Sequence, residues 1–183
     1  MLYTRKGDKG DTGVFGCDQR MSKSSVVAEA LGTLDEINSF LGLCKIRAKE
    51  TGLTADGASV ENILNDVQQN LFIVQAELAG ADKTIAAEKI SQIEKIIDAI
   101  EKELPPIKTF FVSGGTELAA TLDFARTLAR RAERRAVAVS EEGKAKVSPD
   151  SLAYLNRLSS LLYALARLVN HKSGITGEPP TYR

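Results

Sequence analysis

The chain has 183 residues, 43% apolar and 26% charged, with 24 basic side chains against 24 acidic ones. That is one domain with a full core; a disordered chain is excluded, and so is any bulk electrostatic attraction to nucleic acid or a membrane surface, which leaves an anion site only as a local feature. Two cysteines, Cys17 and Cys44, fit a reducing compartment and exclude a disulfide scaffold, while the single histidine, His171, sets aside His-rich zinc sites and a Ser-His-Asp triad.

Residues 1–20 carry Lys and Asp and no apolar stretch of the kind a secretory signal needs. The longest apolar run, Leu161 to Val169, is interrupted by Arg167, so no membrane span is expected and a cytoplasmic location is the default.

The first 23 residues differ in kind from the rest. Gly7, Gly10, Gly13 and Gly16 recur every third position amid Asp8, Lys9, Asp11 and Thr12. Without proline or a sustained period this is not collagen, and without a GxxxxGK[ST] pattern it is not a Walker A loop. Two readings stay open: a flexible tail, or a folded loop whose backbone amides approach an anion beside Lys and Arg.

Beyond it the period is helical. Thr33 and Glu36 read as a capping box, with Leu34, Ile37, Leu41 and Cys44 as one apolar face and Asp35 in the first turn. A loop from Thr51 to Ala58 leads to a second helix with Ile63, Val67, Leu71, Val74 and Leu78 inward, ended by Gly80. A third, capped by Thr84, carries Ile90, Ile93, Ile97, Ile100 and Leu104 and stops at Pro105-Pro106. Ile107 to Val112 is extended, either strand or connector, and runs into Ser113-Gly114-Gly115. A fourth helix follows from Glu117. Ser148-Pro149 opens a fifth with proline at its first position. The expected fold is an all-α five-helix bundle, helices about 33–49, 59–79, 85–104, 117–140 and 149–170, in one domain over 1–183, with 174–183 as a flexible tail.

The fourth helix carries the chemistry. At about 100° per residue, Arg126, Arg130 and Arg134 follow one another along one face with Glu133 in the same arc. Like charges four apart repel, so the row calls for counter-charge from another element or a ligand. The opposite face, with Leu118, Leu122, Ala125, Leu128, Ala129, Ala132 and Val139, is rich in small residues. On the fifth helix Asn156, Ser160, Tyr163, Arg167 and Asn170 line a polar face, and spacing alone makes Asn156 a surface residue. Cys17, Cys44 and His171 have no metal-site spacing. An enzyme with this inventory works by binding, orientation and charge stabilisation on a substrate that brings its own nucleophile. A bundle with a merely solvated arginine face is the plainer reading, but leaves the glycine-rich leader unexplained.

Five stretches in order carry a resemblance: Tyr-Thr-Arg-Lys-Gly-Asp-Lys-Gly-Asp-Thr-Gly at 3–13, Glu-Ala-Leu-Gly-Thr-Leu-Asp-Glu at 29–36, Phe-Phe-Val-Ser-Gly-Gly at 110–115, Ala-Arg-Thr-Leu-Ala-Arg-Arg-Ala-Glu-Arg-Arg at 125–135, and Tyr-Leu-Asn-Arg-Leu-Ser at 154–159. In these the sequence resembles the PduO-type corrinoid adenosyltransferases. The resemblance implies a five-helix bundle assembled as a homotrimer with sites between subunits. It also implies transfer of the 5′-deoxyadenosyl group of ATP to the Co(I) of reduced cobalamin, with Mg²⁺, giving adenosylcobalamin and triphosphate. A flavin-dependent reductase and a cobalamin-dependent acceptor enzyme are the partners it implies.

Carried over by position, the nucleotide site would comprise Thr4, Arg5, Lys6, Gly7, Thr12, Gly13 and Lys23 of the leader, Arg130, Arg131, Ala132, Glu133 and Arg134 of the fourth helix, and Asn156. Asp35 and Arg126 would be a charged pair near the corrin bridging adjacent subunits. Phe110, with Phe111 as second choice, would be the wall that excludes the lower base of the corrinoid, since four-coordinate Co(II) is easier to reduce. Ser113, Cys17 and Ser160 depart from the family's usual Pro, Gly and Asp. An ATP-binding regulatory protein on the same bundle, without transfer, is the alternative; it gives no reason to keep Asp35, Arg126 and Phe110.

Overall fold

The computed structural model describes residues 2–14 and 20–182, so that Gly16 and Cys17 lie outside the described residues. The leader is folded. β1 (Asp11–Gly13) pairs antiparallel with β2 (Arg20–Ser22), Thr12 facing Met21. Arg20 ties the ribbon together: its Nε and Nη2 each donate to the Asp11 carboxylate at 2.8 Å, and Nη2 also reaches Lys6 O at 2.7 Å. Lys23 Nζ donates to Gly7 O at 2.9 Å. Over its described residues the leader is thus a folded loop and not a flexible tail.

Helix α1 (Val26–Thr51) begins well before Thr33. Ser25 Oγ accepts the Ala28 N–H and supplies the cap, and Val27, Ala30 and Leu34 carry one buried stripe straight through the expected boundary. Thr33 sits inside the helix with its hydroxyl donating back to Ala30 O at 2.9 Å, so the capping-box pattern is coincidental. The stretch expected to be loop contains a second small ribbon, β3 (Thr54–Ala55) with β4 (Ala58–Ser59), turning at Asp56-Gly57.

Helix α2 (Val60–Leu78) is capped by Ser59. Helix α3 (Ala87–Glu103) starts after Ala86 with no side-chain cap; Thr84 is not the cap, because the adjacent Ile85 is drawn into the core and fixes where the chain enters the helix. Helices α4 (Glu117–Glu141) and α5 (Pro149–Lys172) are capped by Thr116 and Ser148. The order is up-down-up-down-up: α4 runs antiparallel to α1, with Arg47 on Glu117 and Arg135 on Glu29, and antiparallel to α5, with Thr116 on Asn170 and Glu133 on Asn156. The apolar faces expected of α2, α4 and α5 are all buried, whereas on α3 Ile93 and Ile100 are buried and Ile90 and Ile97 only partly so. Residues from Gly174 on, expected as a flexible tail, lie near the 110–113 segment, Val112 N–H donating to Glu178 O at 2.8 Å.

Two buried polar side chains of α2, Glu77 and Asn70, fix α5 in place. Glu77 accepts the Ser148 N–H at 2.7 Å and the Ser151 hydroxyl, placing a carboxylate at the positive end of the helix. Asn70 donates to Tyr154 Oη at 3.1 Å. Burial pushes the Cys44 thiol up to about 11 and the Tyr154 phenol up as well, so the fold favours both neutral forms. The stability this contributes is whole below the unfolded thiol value and lost as pH climbs through the folded one. The urea midpoint should hold from about pH 7 to 8.5 and fall toward about pH 11, with a smaller fall in Cys44→Ala; identical pH slopes in the two proteins would remove Cys44 as a cause.

Candidate functional site

Because α4 packs against α1 on one flank and α5 on the other, its arginines divide. Arg131 and Arg135 turn to α1: Arg131 Nη2 pairs with Glu36 and Arg135 Nε lies 3.4 Å from Glu29. The Arg131 Nε is buried and has no acceptor among the described residues. Arg126, Arg130 and Arg134 belong to the other face. Arg126 Nε stands 3.4 Å from Asp123 within its own helix. Among the described residues, Arg130 and Arg134 have no ion pair, and both are exposed. Ala132 is fully buried in the core, so its side chain has no surface to offer a nucleotide.

Glu133 is held by α5. Asn156 Nδ2 donates to it at 2.8 Å, and Asn156 Oδ1 accepts from Arg157 Nη1 at 2.7 Å while Arg157 Nε meets Glu94 at 2.8 Å. Asn156 is exposed, as spacing predicts, but it is also the link between the arginine edge and α3.

Beside Arg126 and Arg130 opens a cleft of ≈580 Å³ between α4, α5 and two connecting segments. One wall is polar, with Asp123, Arg126, Arg130 and Ser160; the other is apolar, with Ile107, Phe110, Phe111 and Val112. Phe110 stands 79% exposed, whereas Phe111 is 37% exposed and packs on Gly177. Such a cleft can seat a broad, flat, apolar-faced ligand against aromatic rings while guanidinium groups meet an adjoining anion. His171, set aside from the sequence, lies at its rim with Tyr163.

The leader stands at the opposite end of the arginine row. β2 leads into α1, whose first-turn Glu29 contacts Arg135, so the ribbon is near the Arg134 end of α4. Thr4, Arg5 and Lys6 are exposed, Thr12 is half-buried and Gly13 exposed. Arg5 holds a left-handed backbone, φ 57°, with its guanidinium 5.4 Å over Tyr3. Asp11 is held below the usual carboxylate range by its hydrogen bonds from Arg20. Asp35 is exposed on α1, and within one chain Arg126 takes Asp123, not Asp35.

Sequence reasoning did not single out Asn170, Arg167 and Gly177 as parts of the cleft. The two α5 residues were visible on its polar face; what they hold was not, because their partners are loop carbonyls and amides. Among the described residues no group of three or more His, Cys, Asp or Glu side chains could hold a metal ion.

The cobalamin adenosyltransferase family profile matches residues 2–169. The chain is 42% identical over 177 residues to the corrinoid adenosyltransferase PduO of Citrobacter freundii, covering 93% of this chain and 50% of that protein, so it spans about half the length of that curated relative. It is 41% identical over 178 residues to the corrinoid adenosyltransferase of Bacillus subtilis (strain 168), covering 95% and 89%. The fold is similar to a variant PduO-type ATP:corrinoid adenosyltransferase from Lactobacillus reuteri complexed with cobalamin and ATP, with TM-score 0.86 and 32% identity over 100% of this chain and 97% of that one. It is also similar to an arginine-to-lysine variant from the same organism complexed with ATP, with TM-score 0.85 and 30% identity, covering 98% and 100%.

The division of the arginines is measurable in stability. Arg131→Ala removes a helix–helix ion pair and should lower unfolding free energy by about 1 kcal/mol, while Arg134→Ala should leave it within about 0.5 kcal/mol. Equal losses in urea denaturation would contradict the division.

Proposed function

The chain belongs to the cobalamin adenosyltransferase family, and from that premise we propose that it transfers the 5′-deoxyadenosyl group of ATP to the Co(I) centre of reduced cobalamin. The observation that carries this reading is the position of Arg130. It has no carboxylate partner among the described residues and borders a cleft whose far wall is Phe110 and Phe111. A phosphate-binding edge and a flat aromatic wall in one cleft are what a reaction between ATP and a corrin requires.

The chemistry asks little acid–base work of the protein. The Co(I) electron pair attacks C5′, the Co–C bond forms, the C5′–O bond breaks, and triphosphate leaves with its electrons. No proton moves, so the reaction calls for no general base. What must be supplied is alignment, exclusion of water, and positive charge where the leaving group gains negative charge. Arg130 and Arg134 supply that charge, and Arg131 braces α4 through Glu36. Mg²⁺ bound to nucleotide phosphates needs only one or two carboxylates from protein, and Glu133, oriented by Asn156, fits that role.

The leader closes the nucleotide side, with Thr4, Arg5, Lys6, Gly7, Thr12, Gly13 and Lys23 toward ATP; the Lys23 ammonium, now on Gly7 O, is placed to exchange that carbonyl for a phosphate oxygen. Phe110, the more exposed ring, serves as the wall under the corrin and Phe111 as its support.

In a homotrimer, as the family resemblance implies, Leu43 and Ile46 on α1, Phe124 on α4 and Phe72 on α2 are exposed apolar side chains that subunit contact would cover. Asp35 shares the α1 face of Ile46, so an Asp35–Arg126 pair would form between subunits, where Arg126 exchanges or shares Asp123. Co(I) must come from reduction of Co(II), a role suited to a flavin-dependent reductase, and the product suits a cobalamin-dependent acceptor enzyme.

The test is to mix the protein with Mg-ATP and chemically reduced cobalamin, follow the corrin absorbance, and assay triphosphate. Equal amounts of adenosylcobalamin and triphosphate are expected; ATP binding without transfer would favour a regulatory protein instead. Arg130→Ala should cut kcat by about 10²-fold while moving the KM for ATP by no more than about threefold, since its contact strengthens as charge grows on the leaving group. Parallel losses in both parameters would contradict that role. Sedimentation equilibrium should return three times the 19.7 kDa chain mass.

A further inference from the structure

The segment that carries the aromatic wall spans Leu104 to Thr116 and has no regular structure, yet it is held at both ends by α5. At its start Arg167 Nη2 donates to Pro105 O at 2.7 Å, and Lys172 pairs with Glu103 just before it. At its end Asn170 makes three side-chain contacts. Its Nδ2 donates to Gly114 O at 2.8 Å, and its Oδ1 accepts the Thr116 N–H at 3.0 Å and faces the Thr116 hydroxyl at 3.5 Å. Gly115 lies directly on this amide: at φ 97° it adopts a backbone that side chains disfavour, and a Cβ there would stand 2.7 Å from Asn170 Cγ.

The main chain of the same residue holds the other segment lining the cleft. Asn170 O accepts the Ile175 N–H at 2.9 Å, which sends the chain back across the end of α5. That course brings Gly177 under Phe111, where a Cβ would be 2.7 Å from the ring, and Glu178 O onto the Val112 N–H at 2.8 Å. The aromatic segment and the returning segment therefore meet each other once in a hydrogen bond and once in a flat contact, and both radiate from Asn170.

The geometry points to Asn170 as a positioning residue that couples the 110–116 segment to the 175–178 segment, so that the apolar wall of the cleft is set as one unit. This rests on reading that wall as the corrinoid side. Asn170 need not touch either substrate: its side chain acts on Gly114 and Thr116, its main-chain carbonyl, kept in any variant, holds Ile175, and the 175–178 segment feels the side chain through the Val112–Glu178 hydrogen bond. A corrin is broad and bears on the whole wall, so its binding senses the coupling, whereas ATP, held by the leader and the Arg130–Arg134 edge, does not.

Two variants separate positioning from simple capping of α4. Asn170→Asp keeps the acceptor for Thr116 but loses the donor to Gly114 O and sets a carboxylate against that carbonyl; Asn170→Ala loses both. If the role is only to cap α4, Asn170→Asp behaves like the wild type. If it couples the segments, both variants raise the KM for cob(I)alamin by about tenfold, the scale of one buried hydrogen bond, and hold the KM for ATP within about twofold. Hydrogen exchange on the ligand-free protein gives a readout without turnover: Asn170→Asp should speed exchange in peptides covering both 107–116 and 175–178 and leave α1 and α2 unchanged. Wild-type behaviour of Asn170→Asp, faster exchange in only one of the two segments, or an equal rise in both KM values overturns the inference. A wild-type protein that makes no adenosylcobalamin sinks the functional reading instead, and the exchange pattern still decides whether Asn170 couples the segments.

Discussion

The alanines at 119, 125, 129, 132 and 136 present nothing beyond Cβ, and their full burial lets α4 lie close against α1 and α5 at once. That close approach is the constraint from which the site follows. It fixes the rotation of α4, and the rotation decides which arginines reach the carboxylates of α1 and which remain on the cleft side. A larger side chain anywhere along that stripe would push α4 outward and blur the division between the guanidinium groups paired with α1 and those left on the cleft side. The carboxylates at Glu29 and Glu36 take up the charge on one flank, and on the other, among the described residues, Arg130 and Arg134 are left without a carboxylate.

The two halves of the site are held by different means. The arginine edge and Asn156 sit on long helices whose positions are set by core packing, with Glu77 securing the start of α5 through Ser148 and Ser151. The leader and the aromatic wall are irregular chain, each fastened by a few polar side chains: Arg20 and Lys23 for the leader, Arg167 and Asn170 for the wall. The charged edge is therefore set by core packing, whereas the leader and the aromatic segment depend on a handful of hydrogen bonds.

The bundle was legible because its apolar residues keep a helical period over long stretches, and burial follows those stripes at Leu34, Ile37, Leu41 and Cys44 or at Leu155, Leu158, Leu162 and Leu165. The helix starts were less so. Thr33 with Glu36 looks like a cap, but Ser25 stands earlier in the chain and the stripe already runs through Val27 and Ala30; a local pattern lost to a longer one. At α3 the burial of Ile85 outweighed the capping preference of Thr84. The arginine row was visible as a periodicity, but its division was not, since that requires knowing which carboxylates of α1 lie opposite. Ala132, carried over by position, has its side chain on the core face. Asn170 was legible as a polar helix position and nothing more, because its partners are backbone groups far away in sequence.

Two exposed guanidinium groups one helical turn apart do not distinguish sharply among polyanions. Arg130 and Arg134 are exposed and, among the described residues, without carboxylate partners, so inorganic phosphate or sulfate from a buffer will occupy the same guanidinium groups and lower their field through screening. Affinities recorded in such buffers will therefore describe a competition, and a non-coordinating zwitterionic medium is the appropriate reference state for this molecule.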